Sequence, residues 1–162
     1  MEGKEELAQR MMKEGIEIVM LTETWTESVE QEKMKSGHLL ITSGITRRPG
    51  IRGQQGVGFM LGPKAAKAYD ESGRKFEMIS GRFATLRIPM RRPGKKKPTN
   101  LYLVVAYSPH SGHSLEERTA FLDKLDGLLQ AKQGGEVMIC GGDFNAGIGK
   151  VDGDEVAGPY GQ

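Results

Sequence analysis

Short apolar, β-branched runs alternate with amphipathic stretches along this chain, a pattern typical of a mixed α/β fold. Each run has the length of a strand and is bounded by glycine, proline or polar residues. Three of them are the most apolar, and we expect these to be central strands of a sheet: Ile16–Leu21, Leu101–Tyr107 and Val137–Cys140. Further strands are predicted at His38–Thr42, at Gly56–Leu61 and within Phe76–Met90, with a break at Ser80-Gly81.

Three stretches have helical periodicity instead. Lys4–Glu14 carries an apolar stripe, and Pro63–Asp70 begins with proline at a favoured first-turn position. Ser114–Lys132 opens with Ser114 followed three residues later by Glu117, which predicts a capping box. Its predicted buried face consists of Leu115, Phe121, Leu122, Leu125, Leu128 and Leu129. The segment from Thr22 to Gly37 is predicted to be a polar loop, and the glycine-rich tail 147–162 to be loop or disorder.

Length and composition limit the class of protein but indicate no particular chemistry. The chain has 162 residues, enough for one core and too few for two ordinary domains. A net charge of +2 is too small to indicate a nucleic-acid partner by itself. The single cysteine, Cys140, lies within a predicted strand and is interpreted as core filler in a reducing compartment. With no signal peptide and no membrane-length apolar run, the expectation is an intracellular protein without a membrane partner, compatible with a nuclear location.

The candidate chemistry begins where the strand Val137–Cys140 ends. Gly141 and Gly142 follow it and are expected to leave room for a ligand beside the main chain. Asp143 and Asn145 come next, and in extended backbone their side chains point to the same side. A carboxylate and an amide placed together in this way can activate a water molecule and hold a phosphate oxygen. The alternative is an Asx-type turn that caps the strand.

Two further polar side chains lie at the ends of the other apolar runs. Glu23 follows Ile16–Leu21 directly, where open α/β sheets place their ligand crevices. Tyr107 ends Leu101–Tyr107 and is followed by Ser-Pro. Taken singly, Glu23 is equally well explained as a solvated loop acid, and Tyr107 as a core aromatic with its hydroxyl at the rim. Three strands of similar character that all end in such residues favour a shared site.

Several cationic side chains are candidates for contacting a phosphate backbone, although most such runs are solvated loops. One group lies in the predicted loop Gly44–Gln55 and another in the turn 91–99, and two histidines follow the Tyr-Ser-Pro motif. The candidates are Arg47, Arg48, Arg52, Arg91, Arg92, Lys95, Lys96, Lys97, His110 and His113. Exposed polar filler is the alternative interpretation of both histidines.

The motifs around these residues resemble a known superfamily. Thr-Glu-Thr-Trp with Glu23, Ala-Tyr-Ser-Pro with Tyr107, and Gly-Gly-Asp-Phe-Asn-Ala with Asp143 and Asn145 are similar, in order and rough spacing, to the endonuclease/exonuclease/phosphatase superfamily. The segments 56–69, 79–89 and 114–129 look like the endonuclease domain of non-LTR retrotransposons. The resemblance covers nearly the whole chain. It implies that residues 1–162 are a single partial domain, part of a four-layer α/β sandwich with mixed sheets flanked by helices.

The resemblance also implies a mechanism, the metal-assisted hydrolysis of a phosphodiester. Glu23 would coordinate Mg²⁺ or Mn²⁺, a hard cation that prefers oxygen ligands. Asp143 would orient or deprotonate the attacking water, and Asn145 and Tyr107 would hold the phosphate. The implied partner is nucleic acid, DNA in the first place. The implied protein is a monomer, or part of a longer product fused to a reverse transcriptase.

The chain departs from the family pattern at two places. Family members carry an active-site Asn on a strand ahead of the first helix, whereas Met1 directly precedes that helix here. They also continue to a closing Ser-Asp-His that supplies the catalytic histidine, whereas this sequence ends at Gln162. Three functions therefore stay open: a DNA endonuclease of retroelement origin, a catalytically inactive remnant that acts by binding, and a phosphatase or phosphodiesterase of small substrates.

Overall fold

The computed structural model describes residues 2–45, 54–91, 94 and 98–146. Its elements are α1 (Glu2–Glu14), β1 (Ile18–Thr22), β2 (Glu30–Lys33), β3 (Leu39–Ile45), β4 (Gln54–Leu61), α2 (Pro63–Glu71), β5 (Phe76–Ser80), β6 (Phe83–Met90), β7 (Thr99–Tyr107), α3 (Leu115–Gln130) and β8 (Val137–Asp143). The mixed α/β class is confirmed. No helix in this described part has the length and apolar character needed to cross a membrane. The predicted tail 147–162 lies outside the described residues.

The strands form two four-stranded sheets. The first has the order β1-β4-β3-β2, with all neighbours antiparallel. The second has the order β5-β6-β7-β8, in which β7 and β8 are parallel and α3 makes the crossover between them. A parallel pair needs such a crossover connection, because a tight turn can only reverse the chain.

Three apolar clusters hold these layers together. The largest lies between the sheets and includes Phe59 of β4 and Leu103 of β7, with Tyr69 of α2. A second joins α3 to the other face of β6, β7 and β8, where Phe83 and Phe121 stack with ring centroids 4.6 Å apart. A third packs α1 against the other face of the first sheet. Alternate residues of β7 therefore enter different clusters, as strand geometry requires.

The predictions about central strands were partly wrong. Of the three most apolar runs, β7 is central and buried, but β1 and β8 are the edge strands of the two sheets within the described chain. Both are accordingly only partly buried. The polar strand β2 was missed, because all four of its residues are exposed and its sequence carries no apolar alternation. Its pairing with β3 is what makes it a strand.

Helix α3 also differs from its predicted burial. Its start is as predicted, because the Ser114 hydroxyl accepts a hydrogen bond from the Glu117 N–H and the Glu117 carboxylate accepts one from the Ser114 N–H. Phe121 and Leu128 are buried. Leu115 and Leu122, however, are 73% and 61% exposed, so the assignment of both to the buried face was wrong. They lie seven residues apart and so share one outward face of the helix.

Candidate phosphate and metal site

The ends of β1, β7 and β8 meet at one rim of the two sheets. Glu23 follows β1 in the first sheet, and Tyr107 is the last residue of β7 in the second. The Tyr107 hydroxyl donates a hydrogen bond of 2.7 Å to Glu23 Oε1 and so connects the two sheets. Asp143, the last residue of β8, is the register partner of Tyr107. Partnered residues of neighbouring strands point to the same face, so Asp143 lies beside Tyr107.

Asn145 is fixed to the same rim by its side chain. Its Nδ2 donates to the Ser108 carbonyl oxygen at 2.7 Å, and its backbone N–H donates to Asp143 Oδ1 at 2.9 Å. The second contact is the Asx-type turn that the sequence left as an alternative. Asn145 therefore leaves the extended conformation, with a φ of 46°, and the expectation based on strand alternation does not describe it. The four sequence-predicted residues are nevertheless brought together.

The loop that carries Glu23 is held down by glycines of the neighbouring strands. Thr24 N–H donates to the Gly56 carbonyl, and the Thr24 hydroxyl donates to the Ser43 carbonyl at 2.8 Å. A Cβ at Gly56 would overlap Thr24 and Ser43, and a Cβ at Gly44 would overlap the Thr26 carbonyl. Glu23 itself has a φ of 55°, an uncommon conformation for a residue with a side chain. Such strain persists only where the surrounding contacts determine it.

Gly141 and Gly142 have a packing role in addition to the one predicted. A Cβ at Gly142 would overlap the Ala106 carbonyl of β7, and one at Gly141 would lie 2.9 Å from Met20 Sδ of β1. The side of each glycine on which a Cβ would stand is therefore occupied by a neighbouring strand, whereas Gly142 itself is exposed to solvent. They let β8 approach β7 and β1 closely, and β8 continues through them to Asp143 instead of ending at Cys140.

The electrostatic surroundings keep Tyr107 protonated. The hydrogen bond to Glu23 is the main cause that raises the pKa of Tyr107, and partial burial and the negative charges of Glu23 and Asp143 act in the same direction. The nearby Arg82 cation opposes them. At neutral pH Tyr107 is therefore a hydrogen-bond donor. It has a single proton, so donating to Glu23 and donating to a phosphate oxygen are alternatives.

Arg82 is the residue of this rim that sequence reasoning missed. Its Nη1 donates to the Tyr107 carbonyl at 3.1 Å, and its guanidinium lies 5.3 Å from the centre of the Tyr107 ring. The Tyr107 N–H donates back to the Arg82 carbonyl. Arg82 thus fixes the end of β7. It follows the predicted Ser80-Gly81 break, but nothing in that local pattern indicates a partner so far along the chain.

The two candidate histidines lie next to this arrangement. Their rings form an edge-to-face pair with centroids 4.2 Å apart, and His113 Nε2 lies 3.3 Å from Arg82 Nη2. Because a guanidinium only donates, Nε2 is the acceptor in this contact. Among the described residues, neither histidine forms a hydrogen bond with Glu23 or Asp143. The structure therefore places both histidines near the rim without joining them to its carboxylates.

The remaining cationic candidates cannot be placed at the site. Arg91 is exposed at the end of β6. The others lie outside the described residues: Arg47, Arg48, Arg52, Arg92, Lys95, Lys96 and Lys97. Cys140 packs among the residues under α3, and burial raises the pKa of its thiol, which agrees with a packing role.

The carboxylates of this rim are ligands of the kind that a hard divalent cation prefers. Glu23 and Asp143 supply carboxylate oxygens, the ligands that Mg²⁺ prefers, and Mg²⁺ is commonly held by one or two carboxylates together with waters and substrate phosphate. Among the described residues there is no group of three or more His, Cys, Asp or Glu side chains that could hold an ion. Two carboxylates are therefore the charged oxygen ligands that the described part of the rim offers to such a cation.

Comparisons of the chain with protein-family models, with curated proteins and with solved structures gave no match.

Proposed function

We propose that the rim formed by Glu23, Tyr107, Asp143 and Asn145 carries out metal-dependent phosphodiester hydrolysis, and that the substrate is DNA. The observation that carries the proposal is the 2.7 Å Tyr107–Glu23 hydrogen bond between the two sheets, with Asp143 in register beside Tyr107. The resemblance of the motifs to retroelement-type endonucleases supports the same reaction. The packing of α1 and α3 on the outer faces of the two sheets supports the four-layer sandwich of that superfamily.

Each side chain has a role that its contacts allow. Asp143, partly exposed at the end of β8, orients or deprotonates the attacking water. The Asn145 amide has two N–H groups, of which one is used for Ser108 and the second remains for a phosphate oxygen. Tyr107 donates to the phosphate after it leaves Glu23. A divalent cation held by Glu23 would neutralise the charge that develops on the phosphoryl oxygens.

The test is plasmid nicking in Mg²⁺ or Mn²⁺ by the wild-type chain and by variants. Asp143→Asn removes the general base, a change that typically lowers rates by about 10²–10⁴-fold. Glu23→Gln should remove the increase in nicking rate that the cation produces. Glu30→Gln is the matched control, because Glu30 is an exposed acid on β2. Nicking that persists at the wild-type rate in Asp143→Asn would contradict the proposal. Hydrolysis of bis-p-nitrophenyl phosphate without nicking would indicate a small-substrate phosphodiesterase.

A second candidate is nucleic-acid binding without hydrolysis. It is favoured by two features of the described residues: neither His110 nor His113 forms a hydrogen bond with Glu23 or Asp143, and no group of three or more His, Cys, Asp or Glu side chains could hold a cation. Binding of DNA by a chain that does not nick it, with equal affinity in Asp143→Asn, would support this candidate over hydrolysis.

A further inference from the structure

Next to Asn145 lies a pocket that none of the proposed catalytic steps uses. It has a volume of about 220 Å³ between the turn after β8 and helix α3. The residues that matter for its chemistry are Ser108, Arg118, Phe121, Leu122, Phe144 and Asn145. Pockets that enclose drug-sized ligands are typically about 300–1,000 Å³, so this one fits a smaller group.

The backbone around Phe144 is anchored on both sides, although the residue is 40% exposed. Asp143, the residue before it, is held because its carbonyl accepts a 2.8 Å hydrogen bond from the Ser108 N–H. The residue after it is held by the 2.7 Å contact from Asn145 Nδ2 to the Ser108 carbonyl. An exposed aromatic ring on an anchored backbone offers a flat apolar face at little cost in conformational entropy.

The other walls complete a mixed surface. Phe121 is buried, and its stacking on Phe83 makes it a firm apolar wall. Leu122, on the outward face of α3, adds exposed apolar surface. The exposed Arg118 lies one helical turn before Leu122, and within the described residues no carboxylate forms an ion pair with its guanidinium. The pocket thus combines an aromatic face with a positive charge.

We propose that this pocket binds one unpaired base of a nucleic acid strand, with Phe144 stacking on the base and Arg118 contacting the adjoining phosphate. The inference rests on the proposed function, because it takes a nucleic acid as the substrate of the neighbouring rim. Asn145 belongs to both the rim and the pocket, so a strand whose phosphate lies at the rim has its next nucleotide at the pocket. A base enters such a pocket only when it is out of the duplex stack. The site therefore prefers single-stranded or unpaired nucleic acid.

The experiment is fluorescence-anisotropy binding of a short single-stranded oligonucleotide to the full chain in EDTA, so that no hydrolysis occurs. Stacking of a base on an aromatic side chain is worth about 5- to 150-fold in affinity. Phe144→Ala should lower the affinity for the oligonucleotide by that factor, whereas Phe144→Tyr should leave the affinity unchanged. Arg118→Gln should lower both the affinity and its dependence on salt. Leu115→Ala and Arg10→Gln are the controls, because both residues are exposed and do not line the pocket.

An oligonucleotide of abasic units separates base binding from phosphate binding. It should bind the wild-type chain more weakly than the normal strand and should bind Phe144→Ala about as well as it binds wild type. Tighter binding of the strand than of its duplex is also expected. Equal affinity of wild type and Phe144→Ala for the normal strand would overturn the inference. Cation-dependent plasmid nicking that persists in Phe144→Ala would show that the proposed function survives that failure.

Discussion

The ion pair between Arg87 and Glu136 allows a quantitative prediction about stability. Arg87 Nε lies 3.1 Å from Glu136 Oε1, and their side chains are 21% and 3% exposed. Arg87 also donates to the Ala131 carbonyl after α3 and lies 4.0 Å from the centre of the Tyr102 ring. The second Glu136 oxygen accepts from the Gln133 N–H at 2.9 Å. This cluster fixes the connection from α3 into β8, and hence the strand that carries Asp143.

Arg87→Met should lower the free energy of unfolding by about 2–4 kcal/mol at pH 7. Removing one partner of a buried ion pair typically costs about 3–5 kcal/mol, because the other charge stays buried and uncompensated. The lower range applies here because water still reaches part of Arg87. Arg74→Met is the matched control. Its 2.9 Å pair with Asp70 has exposures of 62% and 30%, so its loss should cost about 1 kcal/mol or less.

The assay is urea unfolding followed by circular dichroism at several pH values. Burial alone would raise the pKa of Glu136, but the hydrogen bonds from Gln133 and Arg87 and the Arg87 charge outweigh it and hold the pKa below its usual value. A carboxyl with a lowered pKa contributes stability above its unfolded value of about 4.3 and loses it as the pH falls through the folded value. The cost of Arg87→Met should therefore shrink below about pH 4. A cost at pH 7 no larger than that of Arg74→Met would refute this account.

Three further predictions concern the rim and its supports. A titration at 295 nm of wild type minus Tyr107→Phe isolates the ionisation of Tyr107, whose pKa should lie above about 10. The stability that Tyr107 contributes should be lost as the pH rises through that folded pKa, and a pKa at or below about 10 would contradict the assigned contacts. Gly44→Ala should destabilise the chain by about 1–3 kcal/mol in urea unfolding, because its Cβ overlaps the Thr26 carbonyl; unchanged stability would show that the loop is not held there. Glu17 Oε2 accepts from two N–H groups at the start of α2, so Glu17→Ala should cost about 0.5–2 kcal/mol in the same assay, and no loss would exclude a capping role.

The elements that could be predicted from the sequence are those that their own residues indicate, without reference to a distant partner. The run that forms β7 is apolar throughout its second half, and it is buried because the core between the sheets covers one face and α3 covers the other. The capping box at Ser114 is likewise a local signal, and it fixes the start of α3. In both cases the information lies within a few consecutive residues.

What could not be predicted depends on partners that are distant in sequence. The strands β1 and β8 have the apolar character of central strands, but their places at the sheet edges follow from which strands pair. The polar strand β2 exists because β3 pairs with it. Leu115 and Leu122 fit the apolar periodicity of α3, yet the second sheet covers only the other side of the helix.

The same distinction applies to the candidate site. Glu23, Tyr107 and Asp143 were found because each lies at the end of an apolar run, a local signal. Arg82 reaches Tyr107 and His113 across 25 and 31 residues of chain, so no spacing rule indicates it. Nothing in the motif around Phe144 indicates that this residue is exposed in the turn between Asp143 and Asn145.

The most direct test of the central claim, that the rim holds a divalent cation at Glu23, is titration of the chain with Mn²⁺ followed by electron paramagnetic resonance of the free ion. About one ion should bind per chain, with binding lost or strongly weakened in Glu23→Gln and retained in Glu30→Gln. Tighter binding in the presence of a non-hydrolysable phosphodiester is also expected, since the phosphate supplies further oxygen ligands. Absence of binding at millimolar Mn²⁺, or equal binding by Glu23→Gln and wild type, would contradict this claim.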